Sequence, residues 1–227
     1  MKYVISLGGS IIVPDRIDTK FIKDFVRLVS AWAEKGHYFF IVTGGGSVAR
    51  RYQSAARQVS PKVSSADLDL FGIDLTKLNA RLLSLAFGSI ARKEIITDPS
   101  RPVRDFKKIN LVSGWKPGAT TDHVSAQIAK TYNIKMIINL SNIDYVYDSD
   151  PRKNKKAKKI ESMTWEDFQR QFSRRHKPGA HVPFDPIAAK LALKSSITVT
   201  VMNGRNLDNL KSFLLKKIFR GTLINVS

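Results

Sequence analysis

"HYFFIVTGGGSVARRYQSAARQV", residues 37–59, is the stretch that decides how the chain is read. Residues 37–43, mostly aromatic or β-branched, predict a strand. Three glycines then turn the chain, and a helical segment follows. Upstream, "YVISL" (3–7) predicts a strand that ends in Gly8-Gly9. Between the two strands, residues 19–35 carry Phe21, Ile22, Phe25, Val26, Leu28, Val29 and Trp32 at helical spacing, with Asp18 placed as N-cap and Gly36 as the stop. Strand, helix, strand, glycine turn, helix is the order of a parallel sheet with helices packed on it.

The same alternation continues downstream. Residues 60–70 read as a polar, turn-rich stretch. "LTKLNARLLSLAFGSIA" (75–91) reads as an amphipathic helix with Leu78, Leu82, Leu85 and Ile90 along it. "EIITD", "KINLVSG" and "KMIINLSN" read as strands, and the last two flank "GWKPGATTD" (114–122) and the helix "HVSAQIAKTYN". A basic loop, "PRKNKKAKK" (151–159), reads as a solvated surface. "MTWEDFQRQF" reads as a helix capped by Thr164, and the exposed loop "RRHKPGAH" (174–181) comes after it. Pro183-Phe184-Asp185-Pro186 leads into the helix "IAAKLALKSS". "ITVTVMNG", "LDNLKSFLLKKI" and "GTLINV" complete the pattern as strand, helix and strand. No repeat or flexible linker interrupts it, so residues 1–227 are expected to form one α/β body.

Composition narrows the function. No run approaches the roughly 18 apolar residues of a membrane span, and the first residues lack a signal peptide's pattern, so a cytoplasmic protein without a membrane partner is expected. The chain has no cysteine, and His37, His123, His176 and His181 lack metal-ligand spacing, so no structural metal site is expected. Lys and Arg number 38 against 19 acids, a net charge of +19. Such a surface favours polyanions. The basic residues are spread along most of the chain, however, and specific nucleic-acid recognition is not expected.

Three glycine-bearing turns follow predicted strands: Gly8-Gly9-Ser10, Gly44-Gly45-Gly46-Ser47, and Gly114 with Gly118-Ala119-Thr120-Thr121. Open α/β sheets bind ligands at the carboxyl ends of their strands, and glycine lets backbone N–H groups approach an anion. "GGGSVA" (44–49) also satisfies the dinucleotide fingerprint, but Asp67 and Asp69, the acids about twenty residues on, fall in the irregular stretch rather than at a strand end. No Walker A sequence occurs, so any nucleotide is handled without a P-loop.

Taken in order, "LGGS", "GGGSVARRY", "GIDLTKLNARLL", "GWKPGATTD", "NIDYVYDSDPRKNKKAKKI" and "DPIAAKLALKSSI" resemble the amino acid kinase superfamily, and within it the archaeal-type uridylate kinases. The resemblance covers nearly the whole chain. It implies a three-layer α-β-α sandwich around a mainly parallel sheet, usually hexameric, that moves the γ-phosphoryl of ATP to UMP with magnesium. Residues 1–135 would form mainly the acceptor half and 136–227 mainly the ATP half. By the same resemblance Gly8, Gly9, Ser10, Gly46, Arg50, Ser141, Asn142, Tyr147 and Asp150 face ATP. Gly45, Asp69, Trp115, Lys116, Pro117, Gly118, Ala119, Thr120 and Thr121 face UMP. Magnesium is implied to be held through the ATP phosphates, with no protein ligand. Lys190, in "DPIAAK", matches the family lysine and is the first candidate for the catalytic cation, with Arg50 or Lys116 sharing the load.

Three features depart from the family pattern, one of them Ser141, which replaces the common Thr before Asn142 and keeps the hydroxyl. Ser6 and Leu7 stand where many members carry lysine, and Tyr145 replaces the glycine of N-V-D-G-V-Y. Asp144 suits either magnesium-bound water or a turn, Trp115 either stacking or packing, and Asp122 is expected to organise the loop it ends. An anion at a helix N-terminus gains about 0.3–1 kcal/mol, or about 2 when partly buried, whereas enzymic acceleration requires about 8 kcal/mol or more. Glycine turns alone therefore do not carry phosphoryl transfer; metal and cations must. Rival readings are a superfamily member acting on a small carboxylate, carbamate or phosphate, and a non-catalytic nucleotide-binding or storage protein. The isoprenoid phosphate kinases place a histidine soon after the second glycine loop; here none follows Gly46 before His123.

Overall fold

The computed structural model describes residues 1–151, 153–172 and 183–226; the loop "RRHKPGAH" and Arg152 lie outside them. In chain order the strands are β1 (Lys2–Leu7), β2 (Tyr38–Thr43), β3 (Ile109–Val112), β4 (Met136–Ser141), β5 (Val146–Tyr147), β6 (Lys159–Ile160), β7 (Ser162–Thr164), β8 (Thr198–Asn203) and β9 (Thr222–Asn225). Seven form one sheet in the order β3-β2-β1-β4-β8-β9-β7, while β5 and β6 form a separate antiparallel hairpin. Only the β8–β9 pairing in the large sheet is antiparallel.

The helices are α1 (Gly9–Ile12), α2 (Thr19–Glu34), α3 (Gly46–Val59), α4 (Ser65–Phe87), α5 (Thr121–Thr131), α6 (Trp165–Phe172), α7 (Pro186–Lys194) and α8 (Leu207–Leu214). Side chains alternate across a strand, so Tyr3, Ile5 and Leu7 of β1 enter one core with Phe25 of α2, Leu83 of α4 and Leu210 of α8. Val4 faces the other core with Val124 of α5, Phe168 of α6 and Ala189 of α7. The sheet is thus covered on both faces, the expected three layers.

Local chemistry explains the boundaries. Asp18 caps α2 by accepting from Phe21 N at 3.0 Å, and Gly36 ends the segment with φ of +89°. Asp185 caps α7 through Ala188 N at 2.8 Å, with Pro186 in the first turn. Thr164 Oγ1 accepts from Asp167 N at 3.1 Å, the expected cap of α6.

Several expectations are corrected. The polar stretch 60–70 is turn-like only as far as Ser64, which caps a helix by accepting from Asp67 N at 3.1 Å; α4 then runs unbroken from Ser65 to Phe87. Its leucines at 78 and 85 point outward, 62% and 76% exposed. The inward face carries Thr76, Asn79, Ala80 and Leu83, because the polar pair binds backbone in the turns beside it. "EIITD" is no strand: it meets β3 at one bridge, Ile96, and a second bridge, at Ala91, precedes it. Arg92 N still donates to Ile109 O at 2.8 Å, while its side chain turns to the Asp105 carboxylate at 3.1 Å. The hairpin β5–β6, the short β7 and the single-turn α1 were not legible as separate elements.

Candidate active site

Because β1, β2, β3, β4 and β8 are parallel, their carboxyl ends share one edge, and all three glycine turns leave from it. The turns are tied to one another by backbone. Gly44 N donates to Leu7 O at 3.0 Å, Gly8 N to Leu140 O at 3.1 Å and Gly204 N to Ser141 O at 2.8 Å. A Cβ on Gly9 would lie 2.1 Å from Gly46 N, and one on Gly44 would lie 2.3 Å from Gly9 N. No side chain fits there, and Gly46 also needs a φ of +76°. Asn79 Nδ2 closes the second turn on Gly44 O at 2.8 Å. Arg50 stands exposed one turn into α3.

The third turn is held from below by α4. Gly114 N donates to Thr76 Oγ1 at 2.6 Å. Asp69, on the second turn of α4 rather than in a loop, accepts from Gly118 N at 2.8 Å. Gly118 has a φ of +80° with open space where a side chain would stand. Trp115 packs edge-on against His123, with ring centroids 6.1 Å apart, and the Lys116 ammonium lies 4.0 Å over its ring. Thr120 is the cap of α5: its Oγ1 accepts from His123 N at 3.1 Å.

Asp122 instead turns inward beneath the glycine edge. Ser6 Oγ donates to it at 3.4 Å, Asn139 Nδ2 at 3.3 Å and Asp185 N at 3.1 Å. Burial pushes its carboxyl up to about 7, and the nearby Asp185 carboxylate adds to the rise, while the Asp185 N–H opposes it. One aspartate therefore ties β1, β4, α5 and the start of α7 together. Ser6, at the place of the absent lysine, is one of its donors. Lys190 follows on α7, exposed. Among the described residues neither Arg50 nor Lys190 pairs with a carboxylate.

The loop after β4 lies on the same edge. Ser141 accepts through its carbonyl from Gly204, and Asn142 is exposed beside it. Asp144 accepts from Asn203 Nδ2 at 3.0 Å, so the adjoining β8 turn engages it. Tyr145 replaces glycine without strain, since the non-glycine residues with positive φ are Asn133, Ser196 and Lys216; the Lys159 ammonium covers its ring at 5.0 Å. Tyr147 lies in β5, and Asp150 closes the following turn by accepting through its carbonyl from Lys153 N and Asn154 N.

Sequence reasoning did not single out Thr76, Asn79, Asn139 or Asn203. Their signal was present: each is a polar side chain in an otherwise apolar strand or on the inward face of a helix.

The sequence signature of the Amino acid kinase family matches residues 1–203. A uridylate kinase of Thermococcus sibiricus is 34% identical over 227 residues, covering 99% of both chains. A uridylate kinase of Methanospirillum hungatei is 36% identical over 224 residues, covering 97% of this chain and 93% of that one. The crystal structure of uridylate kinase from Archaeoglobus fulgidus superposes with a TM-score of 0.86 at 30% identity, over 99% of this chain and 100% of that one. With a signature spanning most of its length and relatives that match it end to end, the chain belongs to the amino acid kinase family.

Proposed function

We infer that the chain is a uridylate kinase, transferring the γ-phosphoryl of ATP to UMP to give UDP and ADP. The observation that carries this reading is end-to-end similarity to uridylate kinases, on a sheet edge where three glycine turns meet and Asp69 clasps the loop at Gly118. ATP's phosphates would lie over Gly8, Gly9, Ser10 and Gly46, with Arg50 reaching them. Ser141, Asn142, Tyr147 and Asp150 would line its base and ribose. UMP would lie against Gly45 and the loop from Trp115 to Thr121, with Asp69 at its ribose. This divides the chain into an acceptor half, 1–135, and an ATP half, 136–227, of one domain.

Phosphoryl transfer needs positioning and charge stabilisation more than covalent chemistry from the protein. Lys190, exposed on the helix whose first turn is braced by Asp122, is the cation proposed for the transferring group, with Arg50 and Lys116 in support. Magnesium would enter on the ATP phosphates and neutralise developing charge. The glycine turns suit that arrangement, since they leave backbone N–H groups, not carboxylates, nearest the phosphates. Asp144, held by Asn203, would orient a water of that ion or the ribose.

The protein is proposed to be a cytoplasmic homo-oligomer, hexameric by family resemblance. Leu70, Leu78 and Leu85, 49%, 62% and 76% exposed along one side of α4, are the apolar stripe that favours self-association. No helix among the described residues is long and apolar enough to cross a membrane.

A coupled ADP-release assay with UMP, CMP, AMP, glutamate, aspartate and carbamate tests the assignment. Turnover is expected with UMP first; turnover with another acceptor and none with UMP would overturn it. Lys190→Met is expected to lower kcat by at least about 100-fold with KM for UMP little changed. An unchanged kcat would remove Lys190 from the mechanism.

A further inference from the structure

Opposite the glycine edge, the amino ends of the same parallel strands form a second edge. Lys2 opens β1 and pairs in register with Tyr38, which opens β2. Lys108 immediately precedes β3, and its carbonyl accepts from Phe39 N at 2.8 Å. Lys135 immediately precedes β4 on the other side of β1, and its carbonyl accepts from Thr198 N at 2.9 Å. Lys108, Tyr38, Lys2 and Lys135 therefore follow one another across four neighbouring strands. At about 4.8 Å per strand the row spans roughly 15 Å. Lys35, Lys107 and the amino terminus flank it.

These cations are held in place, and not by acids. Lys108 lies 4.2 Å over the Tyr38 ring, Lys2 5.0 Å over Phe106 and Lys35 5.0 Å over Trp32, while Tyr38 and Phe106 meet edge to face at 5.8 Å. Lys135 Nζ donates to Ser195 O at 2.9 Å and Lys107 Nζ to Ser89 O at 3.2 Å. Among the described residues none of the five lysines forms an ion pair. Asp105 and Asp98, the acids nearest in sequence to Lys107, are engaged by Arg92 and Arg101, and Glu94 by Arg92, which leaves Glu34 beside Lys35. The amino terminus, Lys35 and Lys108 all reach His37, whose pKa is lowered by burial first and by those charges next. Its Nδ1 is buried without a hydrogen-bond partner.

Helix dipoles account for only part of this arrangement. Lys35 caps α2 at its negative end, where a cation is favourable. Lys135 and Lys107 donate to Ser195 O and Ser89 O, at or just past the carboxyl ends of α7 and α4, where a cation is likewise favourable; Lys2 and Lys108 have no helix end as partner. In the free protein such a row of like charges repels itself, and an extended anion relieves the repulsion. The row is too long for one phosphate, and its cations do not converge on a point. Its groups are ammonium point charges rather than the planar forks that recognise base edges bidentately.

We propose that this edge of the sheet docks the phosphate backbone of a nucleic acid without reading its sequence. Five of the 38 Lys and Arg residues stand on this edge, so a part of the basic excess acquires a place in the fold. Backbone contacts set affinity and salt dependence, whereas base contacts, absent here, would set specificity. The edge lies across the sheet from the glycine turns, so docking leaves phosphoryl transfer untouched.

Fluorescence anisotropy with an end-labelled duplex DNA of about 20 base pairs, titrated at several salt concentrations, tests the proposal. Wild type is expected to bind with a log-affinity that falls linearly with log salt. Lys2→Gln, Lys108→Gln and Lys135→Gln together are expected to weaken binding at least about tenfold and to flatten the salt slope by about 2–3. The matched triple Lys153→Gln, Lys155→Gln and Lys156→Gln, which removes the same charge from the loop after β5, is expected to change affinity less than about threefold. Turnover with ATP and UMP serves as the folding control for both triples. Equal losses in the two triples would show a bulk-charge effect and overturn the proposal. So would an absence of salt-dependent binding, or binding to phosphatidylserine vesicles in preference to the duplex.

Discussion

At the carboxyl ends of β1 and β2, Gly9, Gly44 and Gly46 lie backbone against backbone, with no room for a Cβ. At the amino ends of the same strands, Lys2 and Tyr38 stand in register with their side chains outward. One edge packs main chain on main chain by discarding side chains; the other carries ammonium groups set over aromatic rings. On the proposed reading the first would hold phosphate in a fixed geometry and the second only by charge. Position should therefore matter greatly at the first edge and little at the second.

The sharpest break in that comparison is Gly9→Ala. The new methyl meets backbone, which cannot swing aside, so we expect a stability loss of about 2–4 kcal/mol and turnover down at least about 100-fold, measured by denaturant unfolding and steady-state kinetics. Gly36→Ala, at φ of +89° in open space, should cost only about 1 kcal/mol with turnover intact.

Asp122→Asn comes next. Because the folded pKa is raised from 3.8 to about 7, the native chain retains a proton that the unfolded chain releases between about pH 4 and 7. Stability from this group is highest below that window, falls as pH rises through it and is level above it. The asparagine variant should lose that slope, so its ligand-free melting temperature gains on wild type between pH 5 and pH 8. Turnover should fall about tenfold or more as the brace between α5 and α7 weakens. A wild-type stability slope surviving in the variant would assign the titration elsewhere.

A smaller effect is expected at Asp69→Ala, which removes the acceptor of Gly118 N. KM for UMP should rise about tenfold with kcat changed less than about threefold, the size of a partly exposed charged hydrogen bond. At the opposite edge, Lys108→Ala should shift stability by less than about 0.5 kcal/mol and leave kinetics unchanged.

How much of this the sequence displayed depended on which interaction placed each element. The strands and helices flanking the glycine turns follow hydrophobic periodicity and were legible, down to the caps at Asp18 and Thr164; the cap at Asp185 was not. The start of α4 was not, because residues 60–70 look like turn residues until Ser64 is seen to cap them. Its leucine stripe misled for a related reason. Thr76 and Asn79 face inward to satisfy turn carbonyls and amides, which leaves Leu78 and Leu85 outside while Leu82 and Ile90 pack against the core, so the apolar stripe named only part of the inward face. Asp69 was expected at the acceptor side, and its helical seat and its bond to Gly118 required the fold. The inward turn of Asp122 likewise depends on Ser6, Asn139 and Asp185, which only the sheet brings together.

The interlocked glycines have a consequence for how such a protein diversifies. Where recognition is made by main chain packed on main chain, almost any single substitution is lost before it can alter preference, so Gly9, Gly44 and Gly46 are closed to variation. The loop from Trp115 to Ala119 is different: its bend is held by Gly118 and Asp69, and the side chains at 115, 116 and 119 are left to change. Drift in what is accepted should therefore gather in that loop, while the interlocked glycine turns remain as they are.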